Sequence, residues 1–276
     1  MPRQSAQADH IVFFTAWTAV GFFIGCVVVM ELHCLGTAGY HPNETRHTSS
    51  YFIPEAGLLL DAGTGLFRLP PLIQTDRLDI LLSHTHLDHV VGLTFLLGIL
   101  HQHPVQTVRV WARQEKIDAI QNHLLDPSLF PVPLDVEWMA LEEHTPDLLG
   151  GGKLTWFSLE HPGGSTGFRI DWPGHSLAYV TDTIADPIAD YVGKIRGVNL
   201  LLHECNFRDT QRQWAELTGH SWTSRVAAVA SMAAVKQLVF VHLNPLETDG
   251  DPIDLQAAQL LVPGAMIAED KQVLQF

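Results

Sequence analysis

The sequence predicts one mixed α/β domain over residues 31–276, preceded by a hydrophobic segment over residues 1–30. Three observations carry this expectation. Short apolar runs rich in β-branched and aromatic residues alternate with stretches in which charges and small residues break the strand period, the pattern of interleaved strands and helices. Gly, Pro and Asp gather between those runs, where turns need them. Hydrophobic residues make up 46% of the 276 positions against 17% charged, enough for a buried core and too apolar for a disordered chain.

Taken in order, residues 11–30 carry no charge over twenty positions, long enough to span a bilayer as a helix. They predict either a single-pass membrane anchor or, because Met30 stands directly before the first strand, upstream sequence ahead of a start at Met30 and a cytoplasmic product. A cleaved signal peptide fits less well, since no small-residue cleavage site follows. Gly21 and Gly25 have the spacing of a helix-dimer face, compatible with a homodimer. Strands are expected at 31–35, 49–54 and 56–60, the last two as a hairpin, then at 78–83 and 107–112. Helices are expected at 88–100 and 113–124. Residues 125–152, rich in Pro, Leu and Gly, read as a loop able to cap a site. A meander of strands at 153–159, 165–171 and 176–181 follows. Beyond it come a helix at 187–194, a strand at 198–203, helices at 207–218 and 221–234, a strand at 237–242, a helix at 252–261 and a strand at 264–269.

Charge narrows the function classes. With 16 Lys+Arg against 30 Asp+Glu, the net charge of -14 opposes general binding to a nucleic-acid backbone, which depends on many cationic contacts. Three cysteines, Cys26, Cys34 and Cys205, provide neither a disulfide framework nor a CxxC pair. The residue in excess is histidine, with 16 copies, and imidazole is the commonest metal ligand.

After the apolar run DILLS (79–83) comes His84-Thr85-His86-Leu87-Asp88-His89. His84 and His86, two apart in an extended segment, can point to one side and share a metal. Asp88 and His89 lie where the chain turns into a helix and can face a second metal. Imidazoles with one carboxylate suit Zn, Fe or Mn better than Mg or Ca. A lone histidine after a strand is ordinarily a hydrogen-bonded structural residue; four such groups in six residues are not. Further ligands are expected at strand ends, where a sheet holds them rigidly, and His161, Asp182 and His242 each end such a run.

This order of motifs resembles the metallo-β-lactamase superfamily: HxHxDH, then a His, an Asp and a final His, spanning essentially all of residues 31–276. The resemblance implies a four-layer αβ/βα sandwich with two metal ions at one edge. It assigns His84, His86 and His161 to one metal and Asp88, His89 and His242 to the other, with Asp182 between them. Asp61 matches an early Asp-x-Gly element that supports the HxHxDH loop. HECNF (203–207), Gly219-His220-Ser221 and RHTSS (46–50) are similar to elements of the ribonuclease Z-like branch, in which His220 would be catalytic without binding metal. Glu204 is expected to support the site from behind the ligands, and Arg46 either to contact a substrate phosphate or to face solvent from a turn. Cys205, Asn206, Leu243 and Asn244 depart from that branch's pattern. The tRNA-gripping arm between the third His and the bridging Asp is absent, since only 21 positions separate His161 from Asp182, and tRNA becomes an unlikely partner. The resemblance therefore implies a hydrolase of small or cyclic phosphodiesters using a metal-bridging hydroxide, with His220 as acid and Asp88 orienting the nucleophile. A thioester or lactone hydrolase and a non-enzymatic metal sensor are the alternatives.

Overall fold

The computed structural model describes residues 29–248 and 250–276. The 1–30 segment, with its anchor, start-site and dimer expectations, lies outside these except for Val29 and Met30. Among the described residues no helix is long and apolar enough to cross a membrane.

Two sheets lie face to face between outer layers of helix. The first contains β1 (Glu31–Gly36), β2 (Ser50–Ile53), β3 (Leu58–Leu60), β4 (Arg77–Leu81), β5 (Thr107–Ala112), β6 (Glu137–Ala140) and β13 (Val273–Gln275), in the spatial order β13-β1-β2-β3-β4-β5-β6. The second contains β7 (Lys153–Leu159), β8 (Ser165–Trp172), β9 (His175–Val180), β10 (Leu200–Glu204), β11 (Gln237–Val241) and β12 (Met266–Ile267), in the order β12-β11-β10-β9-β8-β7. Strands β3 to β6 run parallel, as do β9 to β12, while β1, β2 and β13 and the β7–β8–β9 meander pair antiparallel.

The strands are apolar on both faces because both faces are buried. Leu58 and Leu60 point into the layer between the sheets, with Trp111, Phe168, Tyr179, Leu202 and Val239. Leu59 points outward, onto a layer with Leu93, Leu96 and Ile117. These belong to the 3-10 turn Val91–Phe95, α2 (Leu96–Gln102) and α3 (Gln114–Ala119), which follow the short α1 (Leu87–Val90). On the other side α4 (Asp190–Lys194) and α6 (Thr223–Met232) cover Ala178, Val180, Leu201 and Phe240. α5 (Arg212–Thr218) and α7 (Leu255–Gln259) complete the helices. The expected four-layer order is the one observed.

Two expectations need correction. The helix expected at 88–100 is interrupted by the 3-10 turn, where the Gly92 N–H donates to the Ala62 carbonyl instead of to the helix, an approach so close that a side chain at 92 would have no room. Residues 125–152 do not form a cap. They add β6 to the first sheet's edge and then return to the start of β4 and β5, where Asp147 pairs with Arg77 and Arg109.

Candidate metal centre

The carboxyl ends of β3, β4, β9, β10 and β11 point to one edge of the sandwich, and β7 runs the same way as β9. The loops there carry the chemistry, as they do at the carboxyl ends of parallel strands in open sheets generally. His84, His86, Asp88 and His89 leave β4; His161 follows β7, Asp182 follows β9, and His242 follows β11. One sheet thus supplies four of the seven residues and the other supplies three.

They converge into two groups. His84, His86, His161 and Asp182 bring one donor atom each within 4.8 Å of one another, and so do Asp88, His89 and His242. Asp182 faces both. Its Oδ2 lies 3.6 Å from Nε2 of His84 and of His161. Its Oδ1 lies 3.3 Å from Nε2 of His89 and 3.2 Å from Nε2 of His242. Asp88 Oδ2 is 3.3 Å and 3.2 Å from the same two nitrogens. A tetrahedral ion with bonds near 2.1 Å has ligand–ligand edges of about 3.4 Å, so these separations are those of side chains around a small cation.

The far sides of the rings fix which atoms face inward. His89 Nδ1 donates to Asp61 Oδ2 at 2.8 Å. His84 Nδ1 donates to Ser83 Oγ at 3.0 Å, and that hydroxyl donates to the same Asp61 oxygen at 2.8 Å. Asp61 also accepts from the Ser83 N–H and from Tyr179 Oη of the opposite sheet. One buried carboxylate therefore orients two histidines, in a left-handed conformation (φ 55°) that an Asp tolerates. His161 Nδ1 donates to the Gly219 carbonyl at 2.9 Å. His86 turns Nδ1 toward the cluster, 3.3 Å from His161 Nε2. Asn206 donates to the His242 carbonyl.

The consequence is a pair of orphaned nitrogens. Nε2 of His84 and Nε2 of His89 are buried without a hydrogen-bond partner, and each is aimed at Asp182. Unpartnered buried lone pairs facing a carboxylate are costly unless a cation lies between them. The residues present fit a divalent metal pair. Burial and the neighbouring imidazole of His89 hold His84 well below its usual pKa, and burial with His161 lowers His86, leaving the neutral rings that metals take. Burial alone would raise Asp182, but His242, His89 and His84 hold it well below the carboxylate range. Asp88 is likewise held low, with His89 and His242 outweighing burial.

His220 stands at the margin. Its ring packs 5.1 Å from that of His161 and 5.2 Å from that of His242, and Nδ1 is 3.1 Å from Glu204 Oε1. Glu204 is fully buried and also accepts the N–H groups of Thr183 and Ser221. Burial pulls the His220 pKa down, but Glu204 and, beyond it, Asp182 and Asp88 raise it to about 9. His220 also comes within 4.8 Å of Asp182 and His242, so proximity alone does not separate a ligand from an acid; the hydrogen bond to Glu204 does favour the acid.

The structure does not bring Arg46 to the cluster. Its guanidinium donates to Thr37 Oγ1 at 2.6 Å and to the Ala268 carbonyl, beside Asp270, which also holds Arg68, Thr37 and the His47 N–H. Burial lowers its pKa there, and it braces the 37–48 loop instead of facing substrate. Sequence reasoning missed Tyr40. Its N–H donates to Asp88 Oδ2 at 2.7 Å from a left-handed backbone (φ 59°), and the preceding Gly39 lies flat against the His242 ring. Nothing in GTAGYHP signals this, since the contact spans the fold.

A sequence profile described as a beta-lactamase superfamily domain matches residues 57–243, about two-thirds of the chain. The chain belongs to the metallo-beta-lactamase superfamily. It is thereby a member of a superfamily of metal-dependent hydrolases. Relatives within the superfamily include ribonuclease BN of Citrobacter koseri, 26% identical over 87% of this chain and 98% of that protein. Ribonuclease Z of Archaeoglobus fulgidus is 23% identical over 90% and 98%. Among solved structures, the metallo-beta-lactamase fold protein YhfI of Bacillus subtilis aligns with TM-score 0.73 at 22% identity, covering 90% of this chain and 99% of that one. A diphosphatase of the PhnP family aligns with TM-score 0.68 at 19% identity, covering 90% and 97%.

Proposed function

We propose that this member of the superfamily is a phosphodiesterase acting on small or cyclic diesters with two divalent ions, zinc first and manganese or iron as alternatives. His84, His86 and His161 would hold one ion, Asp88, His89 and His242 the other, and Asp182 both. The observation that carries the reading is the two-sided placement of Asp182, one oxygen toward each group of histidines. Ions bound there would supply Lewis acidity toward a phosphoryl oxygen and activate water at neutral pH.

The chain's own residues do the rest. Asp61 holds His84 and His89 in the ligand tautomer. The Tyr40 N–H fixes one oxygen of Asp88, which orients the nucleophile. His220, kept protonated by Glu204, stands ready to donate to a leaving oxygen, a role worth about 10²–10⁴ in rate. This acid favours a diester over a thioester, because a thiol, with a pKa near 8.5, departs without one. The names of the ribonuclease relatives and of the diphosphatase support phosphorus chemistry. A net charge of -14 and the short β8–β9 hairpin between His161 and Asp182 favour a small diester over tRNA.

Hydrolysis of bis(p-nitrophenyl) phosphate by the zinc-loaded protein tests the reading. A rate that chelation removes and Asp182→Ala abolishes is expected. Protein that holds two zinc ions per chain and leaves this ester and cyclic diesters intact would overturn it.

A further inference from the structure

Beside the metal centre lies a second cavity, and the two share a wall. The centre opens into a cavity of about 480 Å³ bordered by His86, Asp88, Asp182, His242, His220 and Tyr40. The neighbouring chamber, about 560 Å³, is bordered again by Tyr40 and His220, and beyond them by Phe207, Trp214, Pro245 and Leu246. It lies between the 207–218 segment and residues 244–247, which follow the proposed ligand His242 in the loop after β11; neither stretch itself carries a proposed metal ligand.

The chemistry of its walls is specific. Tyr40, Phe207 and Trp214 provide aromatic surfaces, and among the described residues no ring stacks on Trp214. Trp214 is 61% exposed and Leu246 71% exposed, an unusual degree for large apolar side chains on either side of one cavity. Several of the polar groups that reach the chamber are engaged within the chain. Gln211 Nε2 donates to Glu247 Oε1, Gln211 Oε1 accepts the Arg208 N–H, Asn244 Oδ1 accepts the Leu246 N–H, and Asn206 donates to the His242 carbonyl. Glu247 is the charged residue among them apart from His220, and its Oε2 lies 3.9 Å from Nη2 of Arg208. Apart from His220 on the wall shared with the centre, the chamber offers a ligand ring surface without a lining cation, the composition of a site for an uncharged planar group.

From this we infer that the chamber binds the leaving group of the substrate, and that this group is an uncharged, ring-bearing alcohol such as an aryl or nucleoside moiety. The inference rests on the phosphodiester reading in one respect, the direction of bond cleavage. His220 is the wall between chamber and centre, so an alcohol seated in the chamber presents its ester oxygen to His220 while the phosphoryl group sits at Asp182. The group retained on phosphorus stays on the His86 side.

Calorimetry on the zinc-loaded full chain with inorganic phosphate and with phenyl phosphate measures the ring's contribution without turnover. Phenyl phosphate is expected to bind about tenfold or more tightly than phosphate, as burial of a ring implies. Trp214→Ala and Leu246→Asp, both at exposed positions that tolerate substitution, should each bring that ratio down toward one. A ratio near one in the unmodified protein, or a ratio that survives both variants, overturns the inference. Neutral p-cresol separates the chamber from the phosphodiester reading. Saturation transfer to its ring that disappears in both variants upholds the chamber even where neither phosphate ligand binds, and no transfer from the unmodified protein overturns it.

Discussion

The residue on which the chemistry turns is His220, whose role depends on a proton and not on its proximity to metal. If it is the acid, its removal should matter in proportion to the leaving group's need for one. His220→Ala is expected to lower kcat about 10²–10⁴-fold for a diester with an alkyl or nucleoside leaving group, and far less for p-nitrophenyl esters, whose leaving oxygen needs no proton. Zinc content per chain should stay at the unmodified level, and loss of zinc would make His220 a ligand instead. Glu204 then sets the pH range. It raises the His220 pKa, the acid works only when protonated, and activity must therefore fall on the alkaline side as pH passes that pKa. Glu204→Gln keeps the shape and removes the charge, so the alkaline limb of kcat should move to lower pH by about one to three units. A limb that stays in place would separate Glu204 from the proton. At this scale the sequence was legible where ligands are close together, as in HxHxDH, and illegible where a role depends on a distant partner. Arg46 illustrates the second case: RHTSS reads as a functional element, but Thr37 and the Ala268 carbonyl, 9 and 222 positions away, hold its guanidinium.

Among the elements, the loop from β1 to β2 acts as the lid of the second ligand group, and its fit depends on one missing methyl. A Cβ on Gly39 would lie 2.2 Å from the His242 ring, with no flexible chain end to yield. Gly39→Ala should displace His242 or the Tyr40 N–H that holds Asp88, and metal titration is expected to show the affinity of one of two sites reduced at least tenfold. Gly98→Ala is the control: it lies in α2 with nothing within 4 Å, and should stabilise the protein by about 0.5–1 kcal/mol in denaturant unfolding. With at least one buried face in ten of them and two half-buried residues in β12, eleven strands are legible from their apolar runs. β6 and β13 are not. Glu137–Ala140 is mostly exposed or half-buried, and Val273–Gln275 is three residues long. Both are edge strands fixed by β5 and β1 respectively, so their partners, not their own patterns, make them strands.

For the whole molecule, the site is also a clasp between the two sheets. His84, His86, Asp88 and His89 belong to one sheet and His161, Asp182 and His242 to the other, while Asp61 is joined to Tyr179 across the gap. Ions bound among these groups would tie the halves where the interior is polar and the apolar packing of Leu60, Leu81 and Tyr179 ends. Metal affinity must then appear as folding stability, since the unfolded chain does not bring the seven groups together. Free zinc at a thousand times its dissociation constant would add about 4 kcal/mol for each ion bound, which for a domain of this size is roughly 10 °C in Tm per ion. Differential scanning calorimetry with zinc and with excess chelator should show that gap, and in Asp182→Ala it should close toward the chelated value. Because Asp182 faces both ligand groups, its loss should remove more of the gap than His86→Ala, which touches one. Equal effects from the two variants would mean that the groups bind their ions independently, and that the shared carboxylate does not couple the sheets.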